Sequence, residues 1–164
     1  MIALEPSKPS LKLDNQRNSL KCVEPIYIAA IDIGTNSTHL LVALINPDLN
    51  TFSVEIAEKS TTRLGERHPH SGELTDKAIN RVMETLTRFK ELATSYKVKE
   101  ILIAATSAVR EAPNGEDLLV RIKQELNLSV DLISGTEEAR LIYLGVLSGM
   151  PFDNNPHVII DIGG

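Results

Sequence analysis

The chain repeats one short pattern, Ile-Asp-Ile-Gly, at residues 31–34 and again at residues 160–163. An apolar run precedes each copy, as in a buried strand that ends in a tight turn. A carboxylate at a strand tip can hold a hydrated Mg²⁺ ion, and the glycine leaves backbone N–H groups free to surround a phosphate. Asp and Gly are also ordinary turn residues, but turn formation gives no reason to repeat the preceding apolar strand. The repeat therefore favours a site for Mg²⁺ and phosphate that uses Asp32 and Asp161.

Each aspartate is followed by residues that suit a phosphate-binding loop. The first loop comprises Gly34, Thr35, Asn36 and Ser37, and the second contains Gly163 and Gly164. A third polar stretch, Thr-Ser-Ala-Val-Arg-Glu-Ala at 106–112, also follows an apolar strand, and ligands collect at such strand ends in α/β sheets. Its Arg110 is suited either to grip phosphate oxygens with two N–H groups or to form a surface pair with Glu111 or Asp117.

Two adjacent glutamates, Glu137 and Glu138, stand in the first turn of a helix predicted to be capped by Thr136 and to run to about Ser148. The helix macrodipole stabilises carboxylates at this position. Adjacent helical residues point about 100° apart, so only one of the two is expected to face a given cleft. A glutamate kept ionised there could deprotonate an attacking water. Helix geometry alone does not choose between them.

Charge and composition restrict the other partners. The chain has 17 Lys and Arg against 22 Asp and Glu, a net charge of −5, which argues against nucleic acid. Its one basic cluster, residues 63–70, either guides a polyanion or forms a solvated loop. His68 and His70 lack partners at zinc-ligand spacing. The single Cys22 cannot form an internal disulfide, no apolar run approaches the roughly 20 residues that cross a bilayer, and no secretory signal is visible. We expect a cytoplasmic protein without a membrane partner.

The apolar pattern predicts the elements that must position these residues. Residues 1–25 have no sustained period and are expected to form a disordered leader before a domain at 26–150. Residues 26–34 are almost continuously apolar, as in a strand buried on both faces, and strands are also expected at 39–45 and, half-buried, at 51–62. The links between these three are so short that the strands must be antiparallel neighbours.

The remainder of the domain alternates helices with strands. Thr75 is expected to cap a helix with a core-facing stripe at three- and four-residue spacing, namely Ile79, Val82, Met83, Leu86, Phe89 and Ala93. Strands follow at 100–105 and 129–133, separated by a helix that Asn114 is expected to cap and that runs through Leu126. The order strand-strand-strand-helix-strand-helix-strand-helix predicts an α/β domain, a mixed sheet flanked by helices.

Residues 151–164 interrupt this alternation. A Pro-bounded link at 151–156 leads into His-Val-Ile-Ile-Asp-Ile-Gly-Gly, which has the pattern of a new buried strand ending in a glycine turn. We expect this segment to be the linker and first strand of a truncated second domain, and the chain to be the front piece of a longer protein.

Five segments in order resemble the exopolyphosphatase and guanosine pentaphosphate phosphohydrolase family (Ppx/GppA): IAAIDIGTNSTHLLV, TRLGE, the 106–112 loop, ISGTEEARLIYLGV and VIIDIGG. The resemblance covers nearly everything from residue 26 to 164. It implies a ribonuclease H-like domain of the actin-like ATPase and sugar kinase superfamily, in which two such domains enclose the active site. It also implies Mg²⁺-dependent hydrolysis of terminal phosphoanhydride bonds in inorganic polyphosphate, guanosine pentaphosphate or both.

The resemblance also assigns roles by position. Asp32 and Asp161 match the metal and phosphate-handling carboxylates, Arg110 matches a phosphate-contacting arginine, and Glu138 matches the proposed general base. Part of the second phosphate loop would lie beyond Gly164, so the isolated fragment is expected to be inactive. The full-length protein is expected to be an exopolyphosphatase and to form a homodimer.

The alternative class is the nucleotide-binding domain of an actin- or chaperone-like ATPase or of a sugar kinase, because these proteins share the Asp-x-Gly-Thr turn. They need an adenosine pocket in a second domain, which this sequence does not contain. The Ser-Gly-Thr-Glu-Glu-Ala-Arg helix start favours hydrolysis. The sequence does not choose between polyphosphate and guanosine pentaphosphate.

Overall fold

The computed structural model describes residues 23–153 and 155–161, so the greater part of the expected leader, together with Gly163 and Gly164, lies outside the described residues. The elements in chain order are β1 Ile26–Ile33, β2 Thr38–Asn46, β3 Thr51–Ser60, α1 Asp76–Ser95, β4 Glu100–Ala105, α2 Ser107–Arg110, α3 Gly115–Leu126, β5 Asp131–Leu132 and α4 Gly135–Gly149. Within these residues, no helix is both long enough and apolar enough to cross a lipid bilayer.

The strands form one five-stranded mixed sheet in the order β3-β2-β1-β4-β5. The expected meander is confirmed, because β1 pairs antiparallel with β2, and β2 pairs antiparallel with β3. β4 then returns parallel to β1, and β5 lies parallel to β4. A parallel return requires a crossover, which α1 supplies between β3 and β4. The predicted α/β class and ribonuclease H-like topology are confirmed.

The core lies between the sheet and the helices α1 and α3. The predicted stripe of α1 is buried in full, and Thr75 caps the helix by accepting a hydrogen bond from the Ala78 backbone N–H. Leu118 and Ile122 of α3 join the same cluster. From the sheet, alternate residues such as Ala29, Ile31 and Ile33 complete it, because successive strand side chains point to opposite faces.

The opposite face of the sheet is open in the described chain. In β1, Ala30 and Asp32 are exposed while their neighbours are buried, so the expectation that this strand is buried on both faces is wrong. Leu102 of β4 is 48% exposed on this side, and β3 is largely exposed rather than half-buried. The apolar run of β1 reflects its central position, but α1 and α3 cover only one face.

Three segments differ from the sequence prediction. Residues 107–110, expected as loop, form the short helix α2. The predicted strand at 129–133 is reduced to Asp131 and Leu132, because only the last two residues of β4 lie beside it. Residues 157–161 form no strand, since no described strand lies alongside to supply the hydrogen bonds that a sheet requires.

The start of α3 is held by tight packing instead of the predicted cap. Asn114 precedes the helix, but its side chain does not cap it. The Asn114 amide instead accepts from the Leu74 backbone N–H at 2.8 Å and donates to the Leu74 carbonyl at 3.1 Å. At Gly115 a Cβ atom would lie only 2.1 Å from the Val109 carbonyl oxygen. The close approach of α3 to α2 therefore requires glycine at this position.

Replacing Phe89 tests the core. Its side chain is fully buried in the α1 stripe, so Phe89→Ala should lower the free energy of unfolding by about 3–5 kcal/mol. Glu84→Ala, an exposed position on the same helix, should change it by no more than about 0.5 kcal/mol. Urea denaturation measures both values. Equal losses in the two variants would contradict the packing described here.

Candidate active site

Parallel pairing brings the ends of β1, β4 and β5 to one edge of the sheet. The Thr106 N–H donates to the Ile33 carbonyl at 3.3 Å, and the Ile133 N–H donates to the Ala105 carbonyl at 3.1 Å. Thr35 Oγ1 lies 3.4 Å from Ser107 Oγ. The polar segments after β1, β4 and β5, far apart in sequence, are therefore neighbours at this edge.

The loop after β1, residues 34–37, is a tight turn closed by the Gly34 N–H donating to the Ser37 carbonyl at 3.1 Å. A Cβ at Gly34 would stand 3.0 Å from that same carbonyl oxygen, so a side chain here would push the turn open. Beyond the turn, Ser37 Oγ and His39 Nε2 are 2.8 Å apart and hydrogen-bonded. We call residues 34–37 the phosphate loop, after the role predicted for them.

A cavity of about 520 Å³ opens at this edge. It is lined by Asp32, Gly34, Thr35, Asn36, Ser37, His39, Ala104, Thr106, Ser107, Ile133, Glu138, Leu141, Ile142 and Asp161. The lining includes the predicted residues Asp32, Gly34–Ser37, Glu138 and Asp161. It also contains Ser107, from the polar stretch 106–112 noted in the sequence, and His39, which the sequence analysis did not single out. The sequence feature that could have identified His39 is the alternation of side chains along β2, which places His39 directly across from Asp32.

The carboxylate of Asp32 lies within the electrostatic influence of Asp161. The pKa of Asp32 is raised chiefly because surrounding protein removes water from its carboxylate. His39 opposes this effect, and the negative charge of Asp161 adds to it. A cation between the two aspartates would relieve this like-charge repulsion.

The donors in this cavity fit a hard cation. Among residues 23–153 and 155–161, no three His, Cys, Asp or Glu side chains are grouped closely enough to enclose a metal ion. Mg²⁺ does not need such a cage, because it keeps several waters and is held by one or two carboxylates together with substrate phosphates. Asp32 and Asp161 could supply those carboxylates, so the residues present fit the Mg²⁺ expected from the sequence.

The two glutamates of α4 have different surroundings. Glu137 accepts from Arg140 Nε at 2.8 Å and from Arg140 Nη2 at 2.7 Å, which holds its pKa below the usual range. Glu138 has no such partner on its own helix in the described structure and lines the cavity. The neighbours thus differ in their partners and surroundings: the Glu137 carboxylate is paired with Arg140 and lines an adjoining cavity that also borders Asp32 and His39, whereas Glu138 lines the cavity that contains the phosphate loop.

The cap of α4 is Ser134 and not Thr136 as expected. Ser134 Oγ accepts from the Glu137 N–H at 3.2 Å, and the Ser134 carbonyl accepts from the Glu138 N–H at 2.9 Å. The helix starts two residues earlier because Ile133 still belongs to the edge of the sheet and the turn at Ser134 follows at once. Ser134 therefore lies just after β5 and is hydrogen-bonded to the backbone of Glu138.

Arg110 lies beside the cavity and is not part of its lining. Its Nη1 donates to the Ile133 carbonyl at 2.7 Å and is 4.0 Å from Glu138 Oε2. The surface pair with Glu111 or Asp117 does not form in the described structure; the guanidinium instead contacts the segment that starts α4. Its predicted contact with phosphate stays a prediction.

The basic cluster at 63–70 is not a solvated loop throughout. Arg67 turns inward, where its Nη2 donates to the Ala108 carbonyl of α2 and its Nη1 to the Gly72 carbonyl. These contacts occupy the Arg67 guanidinium with backbone carbonyls. A role in guiding a polyanion is therefore poorly suited to Arg67.

The fold and this oxygen-rich cavity define an α/β domain of the kind suited to phosphate chemistry. The model of the Ppx/GppA phosphatase family matches residues 30–164, and the chain belongs to that family. Exopolyphosphatase 1 of Mycobacterium leprae is 31% identical over 137 residues, which cover 84% of this chain and 40% of the relative. A bifunctional 3-dehydroquinate synthase/phosphatase of Fusobacterium nucleatum is 33% identical and covers 83% of this chain and 21% of that protein.

Solved structures agree with this membership. The Aquifex aeolicus member of the Ppx/GppA family has a TM-score of 0.72 at 31% identity, covering 77% of this chain and 41% of that one. An exopolyphosphatase from Cytophaga hutchinsonii has a TM-score of 0.71 at 37% identity, covering 76% and 39%. The chain thus spans about 40% of the length of the curated exopolyphosphatase matched above.

The cap of α4 can be tested by hydrogen exchange. Ser134→Ala removes the acceptor of the Glu137 N–H, so the first-turn amides of α4 should exchange about fivefold faster, equivalent to the loss of a cap worth roughly 1 kcal/mol. Thr136→Ala serves as the control, because this residue lies within the helix and should leave the exchange nearly unchanged. Faster exchange in Thr136→Ala than in Ser134→Ala would mean that Thr136, and not Ser134, caps the helix.

Proposed function

We propose that this chain is the N-terminal part of a hydrolase that removes terminal phosphate from inorganic polyphosphate or guanosine pentaphosphate. The observation that carries the proposal is the meeting, in one cavity, of a glycine and hydroxyl loop with Asp32, Asp161 and Glu138. Membership of the Ppx/GppA family supports it. The relatives named exopolyphosphatase support the polyphosphate substrate in particular.

In this proposal each set of residues has a separate task. The phosphate loop binds phosphate oxygens through its backbone N–H groups and hydroxyls. Asp32 and Asp161 hold Mg²⁺, which when bound supplies positive charge to the phosphate oxygens. Glu138 accepts a proton from a water aimed at the terminal phosphorus, since its carboxylate lines the cavity and its neighbour Glu137 is occupied by Arg140.

Arg110 has two proposed roles. From its place 4.0 Å from Glu138 Oε2 its guanidinium helps to orient that carboxylate. The rest of its guanidinium can turn toward an oxygen of the bound phosphate. The homodimer and the cytoplasmic location expected from the sequence stay predictions.

A substrate comparison tests the class of activity. The full-length protein should release phosphate from polyphosphate or guanosine pentaphosphate in preference to ATP. Preferential hydrolysis of ATP, or transfer of its phosphate to a sugar, would instead support the alternative ATPase or kinase class.

Exchanging the two glutamates for glutamines identifies the base. Glu138→Gln in the full-length protein should lower kcat by roughly 10²- to 10⁴-fold, the usual span for loss of a general base. Glu137→Gln, the neighbouring control, should have a much smaller effect because its carboxylate pairs with Arg140 at the surface. Circular dichroism should show the same fold in both variants. Equal losses in steady-state assays would mean that Glu138 is not the base.

The predicted Mg²⁺ ligands can be tested without an assay of activity. Asp32→Asn should weaken Mg²⁺ binding by about 10- to 100-fold or more. Losses of metal affinity of this size are already seen when a residue that only hydrogen-bonds to a metal ligand is replaced. Isothermal titration calorimetry of the full-length protein with Mg²⁺ and inorganic phosphate measures the affinity. Asp117→Asn on α3 is the matched control and should bind as the unchanged protein does. Unaltered affinity in Asp32→Asn would remove Asp32 from the site.

A further inference from the structure

The phosphate loop is supported from behind by residues 62–67, which we call the supporting loop. The Gly65 N–H donates to the Thr35 carbonyl at 2.8 Å, and the Arg63 N–H donates to the Asn36 carbonyl at 2.9 Å. Both acceptors belong to residues that line the cavity. The two hydrogen bonds therefore fix the backbone of the phosphate loop on the side away from any ligand.

The supporting loop is itself anchored to the core and to α1. Leu64 is fully buried among the core side chains. Arg81 of α1 donates through Nε to the Thr62 carbonyl at 2.7 Å and through Nη2 to the Arg63 carbonyl at 3.3 Å. The same Nη2 is 2.8 Å from Glu66 Oε2. A segment with these contacts can hold another loop in place.

Gly65 makes the closest approach between the two loops. A Cβ atom at this position would lie 2.6 Å from Thr35 Cγ2, far inside normal contact, but 3.6 Å from the Thr35 carbonyl oxygen, which is ordinary contact. Gly65 does not have a positive φ, so a residue with a side chain could adopt its backbone conformation. The contact that disfavours a larger residue here is therefore the single methyl group of Thr35.

We propose that Gly65 is a positioning residue for the phosphate loop. The absence of its Cβ lets the supporting loop lie against Thr35, which keeps the Thr35 hydroxyl near Ser107 and the backbone of residues 35 and 36 in place beside the cavity. A Cβ at Gly65 forces the Thr35 side chain to move, and with it the hydroxyl that lies beside Ser107 in the cavity. The effect on catalysis rests on the function proposed above, whereas the effect on the loop does not.

A double-mutant cycle in the full-length protein tests this role. Gly65→Ala should lower kcat/KM for polyphosphate by about 10²-fold, the loss expected when a positioning group moves by about 1 Å. Thr35→Ser removes the clashing methyl and retains the hydroxyl. Adding Gly65→Ala to the Thr35→Ser protein should therefore cost no more than a few-fold relative to Thr35→Ser alone. Gly145→Ala, on α4 with open space around the added Cβ, is the control and should leave kcat/KM unchanged.

Hydrogen exchange of the same proteins separates this proposal from the proposed function. The amides of the supporting loop should exchange faster in Gly65→Ala and return toward the Thr35→Ser values in the double variant. Equal costs of Gly65→Ala in both backgrounds, or unchanged exchange in Gly65→Ala, would overturn the positioning role. An unmodified protein that hydrolyses neither polyphosphate nor guanosine pentaphosphate would overturn the proposed function, and the exchange data would still decide the role of Gly65.

Discussion

The parallel pairing of β1 with β4 is the constraint on which the site depends. It aligns Ile33 with Ala105, so the chain leaves both strands at the same edge of the sheet. β5 adds a third end there through only two residue pairs. Antiparallel neighbours would have sent these ends to opposite edges. The crossover through α1 makes the parallel pair possible. The buried stripe of α1 holds that crossover against the sheet, so it helps to determine where the strand ends meet although α1 does not line the cavity.

Arginine side chains secure the segments around this edge by binding backbone carbonyls. Arg81 holds the supporting loop, Arg67 holds α2 at Ala108, and Arg110 holds Ile133 just before α4. Irregular segments leave carbonyl groups without partners in a helix or sheet, and a guanidinium with five N–H donors is well suited to satisfy them. Much of the positive charge near the site is therefore used to hold the protein backbone.

Local patterns predicted the elements well, and they failed where a partner distant in sequence decides the outcome. The six-residue stripe of α1 and the cap at Thr75 follow from spacing alone, and so does the separation of Glu137 from Glu138. The choice of Ser134 rather than Thr136 as the cap of α4 does not follow from spacing, because both residues can cap a helix and the end of β5 decides between them. The sequence pattern also did not predict that one face of β1 is open, since an apolar run does not indicate which face of a strand a helix covers.

The proposed cation follows from the balance of charge in the cavity. Asp32, Glu138 and Asp161 all line it, and the pKa of Asp32 is raised, chiefly by removal of water from its carboxylate and further by the charge of Asp161. A polyphosphate entering alone would add further negative charge to three carboxylates, which are opposed by the Arg110 guanidinium at the margin and by His39, whose presence lowers the pKa of Asp32. Mg²⁺ held by Asp32 and Asp161 would offset the charge of both aspartates, because a bound divalent ion is the largest charge in such a site. Asp32 and Asp161 would hold the Mg²⁺, which would supply positive charge for the phosphate oxygens, and the Glu138 carboxylate would be left to accept a proton from the water.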